Sequence, residues 1–248
     1  MGSIYFVERP TPITCCNNKI AHFAHVPKCG GVSVEFYAMK TGIQLAFWDS
    51  HYVSHPAPQK WNISSPQHID GPSLARLIPP AFLDFGFAVV RDPISRLKSA
   101  FKFQMLVERK IETDRLLSDF VREDLIEAAG TLGKWDNHFL PQSQFLIPKM
   151  SYQVFRLEDG LDQVKTFMDA QFLGTVAAEP MSHSNLGPKP TVEVEGQFEL
   201  DEEAEALAAG VYSEDFRNFQ YPLPERVAAA ETGLMQTPLN TPEANPAP

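Results

Sequence analysis

The chain has 248 residues, 44% hydrophobic and 11% aromatic, enough for one α/β domain with a full core or at most two small ones. Its formal charge of −10 argues against nucleic acid as a partner, because a densely anionic polymer is repelled at long range. No apolar run approaches the length that crosses a membrane, residues 1–10 lack a secretory signal, and Cys15, Cys16 and Cys29 form no CxxC pair; the expectation is a cytoplasmic protein with free thiols and no transmembrane segment.

Residues 1–18 read as an N-terminal extension. The apolar run Ile20–Val26 then predicts a strand that enters Pro27-Lys28-Cys29-Gly30-Gly31-Val32-Ser33, followed by a helix over 32–41 stopped at Gly42. A possible strand at 43–48 leads into a polar stretch, 49–70, which holds His51, His55 and His68. Asp70 is placed to cap a short helix, 71–78, with Pro72 in its first turn. Strand 85–91 is apolar up to Arg91, as a strand covered on both faces should be, and the helix after it, 93–110, begins with the cap Asp92-Pro93. Further on, helices are expected over 114–129, 159–170, 200–209 and 212–219, with a strand at 153–157. Residues 223–248, rich in Pro, Ala, Thr and Glu, read as a disordered tail.

Strands alternating with helices predict a single α/β domain, 19–222, with a central parallel β-sheet of about four or five strands flanked by helices. In such sheets ligands bind beyond the carboxyl ends of the strands, where both the Gly30-Gly31 turn and Arg91 fall. Each segment sets an anion near a helix N-terminus, so the expected ligand carries two separated anionic groups. Charge is uneven around them: six basic residues against two acids between Arg91 and Lys110, and seven acids without a base from Glu193 to Glu205. The acidic run reads as a solvated helix face, and a positive field is expected beside Arg91. The first loop is not of the G-x-x-x-x-G-K-[ST] kind, because Lys28 precedes the glycines.

Pro27–Ser33 resembles the 5′-phosphosulfate loop of sulfotransferases, typically Pro-Lys-Thr-Gly-Gly-Thr-Ser in the membrane-associated and carbohydrate branch. Arg91-Asp92-Pro93, with Arg96 and Ser99-Ala100-Phe101, resembles the 3′-phosphate motif of the same family. The resemblance implies a P-loop-like sulfotransferase fold and 3′-phosphoadenosine 5′-phosphosulfate (PAPS) as cosubstrate. It further implies transfer of the sulfuryl group to a hydroxyl of a carbohydrate or other small acceptor, without a metal. By it, Lys28, Cys29, Gly30, Gly31, Val32 and Ser33 hold the phosphosulfate, Arg91 and Ser99 hold the 3′-phosphate, and Lys28 is catalytic. In the heparan and related branches a catalytic histidine precedes the Arg-Asp-Pro strand by a little over twenty residues. His68 lies 23 residues before Arg91 and takes that role; His51 and His55 compete for it, and His138 would position substrate.

Two departures stand out: Cys29 and Val32 replace residues that commonly carry hydroxyls. A thiol at Cys29, near Lys28 and a helix start, would be expected to ionise more readily. His22 and His25 read as packed, hydrogen-bonded strand residues, and Arg96 as either a solvated helix residue or a ligand contact. Trp48, Tyr52, Trp61, Trp135 and Phe139 are candidates to stack on an acceptor. His183, Asn185 and Lys189 lie where the family often covers the nucleotide. An ATP-dependent phosphotransferase and a nucleotide-binding module without catalysis are the alternative readings.

Overall fold

The computed structural model describes residues 12–47, 49, 52, 55–181 and 196–224; His51, Trp48, His183, Asn185, Lys189 and the segment 225–248 lie outside them. Five strands, β1 (Ile13–Cys16), β2 (Lys19–Ala24), β3 (Gln44–Ala46), β4 (Phe85–Val90) and β5 (Tyr152–Arg156), form one sheet in the order β3-β1-β2-β4-β5. β2, β4 and β5 run parallel, whereas β1 is antiparallel to both β2 and β3. The expected parallel sheet is therefore a mixed one.

The cause is a hairpin. Asn17 and Asn18, at φ 48° and 59°, make the two-residue turn between Cys16 and Lys19, and asparagine tolerates the left-handed backbone that such a turn demands. Residues 13–16 thus belong to the sheet, not to the extension expected at 1–18.

The helices are α1 (Gly31–Thr41), α2 (Gly71–Leu77), α3 (Pro93–Leu106), α4 (Leu117–Glu123), α5 (Leu125–Gly130), α6 (Asp162–Met168), α7 (Glu202–Val211) and α8 (Ser213–Asn218). Asp70 and Asp92 cap α2 and α3 as expected, accepting the Ser73 and Ser95 N–H groups at 2.9 and 2.8 Å. The stretch expected as one helix over 114–129 breaks at Asp124, and the helix expected over 159–170 starts at Asp162 and closes in a wide turn, Asp169–Leu173.

Two cores hold the site between them. Phe23, Ala24, Phe87 and Val89 of the sheet pack on Val34, Tyr37 and Ala38 of α1 and on Val164 and Met168 of α6. Leu97 and Phe101 of α3 pack with Phe120, Leu125, Phe139, Ala208 and Tyr212. The acidic run is more than a solvated face: Glu199 pairs with Lys98 at 2.7 Å, and Asp201 and Glu203 pair with Arg122 at 2.5 and 2.9 Å. The Arg122 pairs tie the start of α7 to α4, and the Lys98 pair offsets one of the charges in the basic stretch after Arg91. His22 is a packed strand residue as expected. Its Nδ1 lies 2.5 Å from the Tyr152 hydroxyl, and burial drives its pKa down to about 3. No described helix is long and apolar enough to cross a membrane.

Candidate active site

β2 and β4 are neighbours, with Ala24 opposite Ala88, so the loops that follow them emerge side by side. Gly30 caps α1 at φ 81°, a left-handed conformation that side chains resist. The amides of Gly31 and Val32 open the helix, where backbone N–H groups have no acceptor within it and the positive end of the helix dipole lies. At Gly31 a Cβ would lie 2.2 Å from Nε2 of His25. The absent side chain there makes room for the His25 ring. Ser33 is buried and Val32 partly exposed.

Cys29 turns inward, 1% exposed, with Sγ 3.3 Å from Gln142 Oε1 and 3.6 Å from the Pro27 carbonyl. Burial pushes its thiol up to about 12, outweighing the nearby Arg96 and Arg91 charges, so the expected acidification is reversed. The hydroxyl-to-thiol change at this position therefore concerns the interior of the loop. Iodoacetamide treatment of the folded protein is expected to modify the partly exposed Cys15 and Cys16 while Cys29 reacts only after denaturation, as read by peptide mass spectrometry.

The second loop is tied to the first through Gln142. Its Oε1 accepts the Arg91 N–H at 2.9 Å and its Nε2 donates to the Arg91 carbonyl at 2.8 Å, extending the ladder one residue past β4 while the same Oε1 faces the Cys29 thiol. The Gln142 and Ser143 amides donate to the buried Asp215 carboxylate of α8 at 2.7 and 2.9 Å. Arg96 is neither solvated nor at a ligand surface. It is fully buried, donating from Nε to the Pro27 carbonyl (3.2 Å) and from Nη2 to the His138 and Leu140 carbonyls (3.0 and 2.7 Å). The partly exposed Arg91 guanidinium, by contrast, makes no hydrogen bond or ion pair with any described residue. Ser99 lies two turns into α3, partly exposed.

Beside these loops is a group of histidines. His68 is 2% exposed, and its Nδ1 lies 2.7 Å from Asp136 Oδ2. Ser65 holds the same carboxylate, donating its N–H to Oδ1 at 2.6 Å and its hydroxyl to Oδ2 at 2.8 Å. His138 donates from Nδ1 to the Trp135 carbonyl (2.9 Å), sits edge-on to His68 with ring centroids 4.8 Å apart, and stacks on Phe103 at 5.0 Å. Lys28 Nζ lies 4.0 Å from the Phe103 centroid, so one ring orients both the lysine and His138. His25 meets His68 edge-on at 5.3 Å; its Nδ1 is 2.8 Å from Glu35 Oε1, and Gln67 donates to that carboxylate at 3.2 Å.

Burial, then the adjoining His68 ring and Lys28, hold His138 well below the ordinary histidine pKa, so it is neutral. Burial pushes the Asp136 carboxyl up, but the charge and hydrogen bond of His68 and the Ser65 amide bring it well below the carboxylate range, so it is ionised.

Donor atoms of His68, Asp136 and His138 lie within 4.8 Å of one another, a set that suits a divalent ion in kind. The 2.7 Å contact between His68 and Asp136 is nonetheless a hydrogen-bond distance, and an ion at about 2.0–2.2 Å from each ligand would have to displace the proton between them. The arrangement present is a hydrogen-bonded dyad.

Asp136 reaches His68 from an unusual turn. Gly133, Trp135, Asp136 and Asn137 all have positive φ, 81°, 46°, 53° and 61°. The left-handed form costs about 1–2 kcal/mol for each non-glycine residue. Asn137 offsets part of that cost, accepting the Gly133 N–H and donating to the His68 carbonyl, both at 2.7 Å.

His55 is held by Asp49 at 2.9 Å and packs edge-on to Tyr52, which is joined through Asn62 and Ser64 to the His68 carbonyl. It stands one layer out from His68. Of the aromatic candidates, Tyr52 and Phe139 are core residues, Trp135 packs on Phe120, and Trp61 is 46% exposed beside Phe47.

Asp136, Ser65, Gln142 and Asp215 are not expected from the sequence. Asp136 and Gln142 fall within the segment Trp135–Gln144 that carries His138, but their partners are distant in the chain.

Residues 12–222 match the sulfotransferase family, a span from β1 to just past α8. No curated protein and no solved structure matched the chain in the corresponding searches. The chain belongs to the sulfotransferase family, and its α/β domain is a transferase domain.

Proposed function

We propose that the chain transfers the sulfuryl group of PAPS to the hydroxyl of a small acceptor, a carbohydrate being the class that its branch of the family favours. The observation that carries this reading is a pair of adjacent strand ends: Arg91, whose guanidinium has no partner among the described residues, follows β4, the Gly30-Gly31 helix start follows β2, and Gln142 links the two loops through the Arg91 backbone and the Cys29 thiol. Two anion-binding points on adjacent strand ends suit a donor with phosphate groups at both extremities.

PAPS supplies an activated sulfuryl group whose bond to the bridging oxygen breaks as a bond to the acceptor oxygen forms. Lys28 meets the charge that builds on the bridging oxygen, an interaction stronger in the transition state than in the ground state. The Gly31 and Val32 amides receive phosphosulfate oxygens, with Ser33 as a further donor, and Arg91 and Ser99 take the 3′-phosphate. His68 accepts the acceptor's hydroxyl proton. With Asp136 accepting from Nδ1–H, the nitrogen that takes the proton once the ring is neutral is Nε2. His138, neutral and stacked on Phe103, lines the acceptor side, and Trp61 is the exposed aromatic that a sugar face or ring could meet.

Calorimetry tests the nucleotide assignment. The wild-type protein is expected to bind 3′-phosphoadenosine 5′-phosphate without Mg²⁺ and in preference to adenosine 5′-phosphate. Arg91→Ala should weaken the first by about 10–100-fold and abolish the preference. Equal affinity for both nucleotides in the wild type, or a thermal shift only with ATP and Mg²⁺, would instead favour a phosphotransferase.

A further inference from the structure

We propose that Asp136 is the positioning residue for His68: its carboxylate, presented on the left-handed turn 133–137, fixes the Nδ1–H tautomer and the orientation of the imidazole that takes the acceptor proton. This rests on the assignment of His68 as base made above.

Two independent observations support it. The first is geometry. The carboxylate is fastened by three donors, Ser65 N–H, Ser65 Oγ–H and His68 Nδ1–H, at 2.6, 2.8 and 2.7 Å, so neither it nor the ring can turn without breaking a bond. An acceptor-only group on Nδ1 dictates which nitrogen carries the proton, and thereby which nitrogen is the base. The second is the backbone. Three consecutive non-glycine residues at positive φ are unfavourable, and the turn is closed by Asn137, whose amide donates to the carbonyl of His68 itself. A strained segment braced onto the residue it serves is the pattern of a site held in place for chemistry.

The charges around the imidazole determine the pH behaviour. Asp136 faces it from the turn, His138 from the same segment with Lys28 of the loop after β2 beyond that ring, and His25 with Glu35 from β2 and α1. Asp136 touches the ring, and a carboxylate in hydrogen-bond contact favours the protonated imidazole, while His138 beside it is neutral. Removing the carboxylate charge therefore lowers the pKa of His68.

In Asp136→Asn, kcat for sulfuryl transfer is expected to fall by between about tenfold and the 10²–10⁴-fold that loss of a base costs. The acidic limb of kcat/KM should move to lower pH by about one unit or more. A variant that had merely lost packing would lose amplitude with the limb unmoved. Nitrogen-15 NMR of the histidine rings reads the same device without turnover. Wild-type His68 is expected as the Nδ1–H tautomer, and the variant as a mixture with a lower pKa. An Nε2–H tautomer in the wild type, or a kcat and pH limb unchanged in the variant, would overturn the proposal. Should the wild type show the Nδ1–H tautomer yet transfer no sulfuryl group to any acceptor, the positioning stands and the sulfotransfer reading fails.

Discussion

Arg96→Met is expected to lower the unfolding free energy by about 3–5 kcal/mol, measured by urea denaturation of the variant against the wild type. The side chain is fully buried, and its guanidinium satisfies three backbone carbonyls, those of Pro27, His138 and Leu140. Methionine fills much of the volume but donates no hydrogen bond, so those carbonyls would face an apolar interior. The Arg96 charge also offsets that of Asp215, whose carboxyl is pushed up by burial. These contacts join the loop after β2 to the segment bearing His138, so nucleotide affinity should fall in parallel with stability. A loss below about 1 kcal/mol, the scale of a surface substitution, would mean that the loop is held by something else.

If His68 is the base proposed above, His68→Ala is expected to reduce kcat by about 10²–10⁴-fold while the dissociation constant for 3′-phosphoadenosine 5′-phosphate stays within about threefold, since a base acts on the acceptor and not on the nucleotide. The split between turnover and binding is the informative readout. His68 also packs against His25, and the His25 ring occupies the space left by Gly31, so a collapse of the loop 27–31 would appear as lost nucleotide affinity. Full turnover in His68→Ala would move the base elsewhere, with His138 next because its ring lies 4.8 Å away.

Local chemistry made much of the frame legible. The apolar runs of β2 and β4, the caps at Asp70 and Asp92 and the stop at Gly42 each depend on residues close in sequence, and each formed where expected. The hairpin that turns the sheet's edge antiparallel was also written locally, in Asn17-Asn18, but β1 is only four residues long and is easily read as part of an extension. At the site, the placement of the anion loops follows from strand order, whereas the character of Cys29 does not. Motif logic sees a thiol beside a lysine and a helix start. Burial against Gln142 decides its pKa, and burial is a property of the packed chain.

The sequence by itself determined β2, β4 and β5, the helices capped at Asp70 and Asp92, the two loops with their glycines and Arg91, and the family, because turns, caps and glycine geometry act over a few residues. Tertiary structure alone decided what stands behind each motif: Asp136 against His68, Gln142 across both loops, Arg96 buried among three carbonyls, and acids 199–203 spent on Lys98 and Arg122. Those pairings join residues far apart in the chain. Their strength comes from desolvation and close approach, which exist only once the two cores have formed.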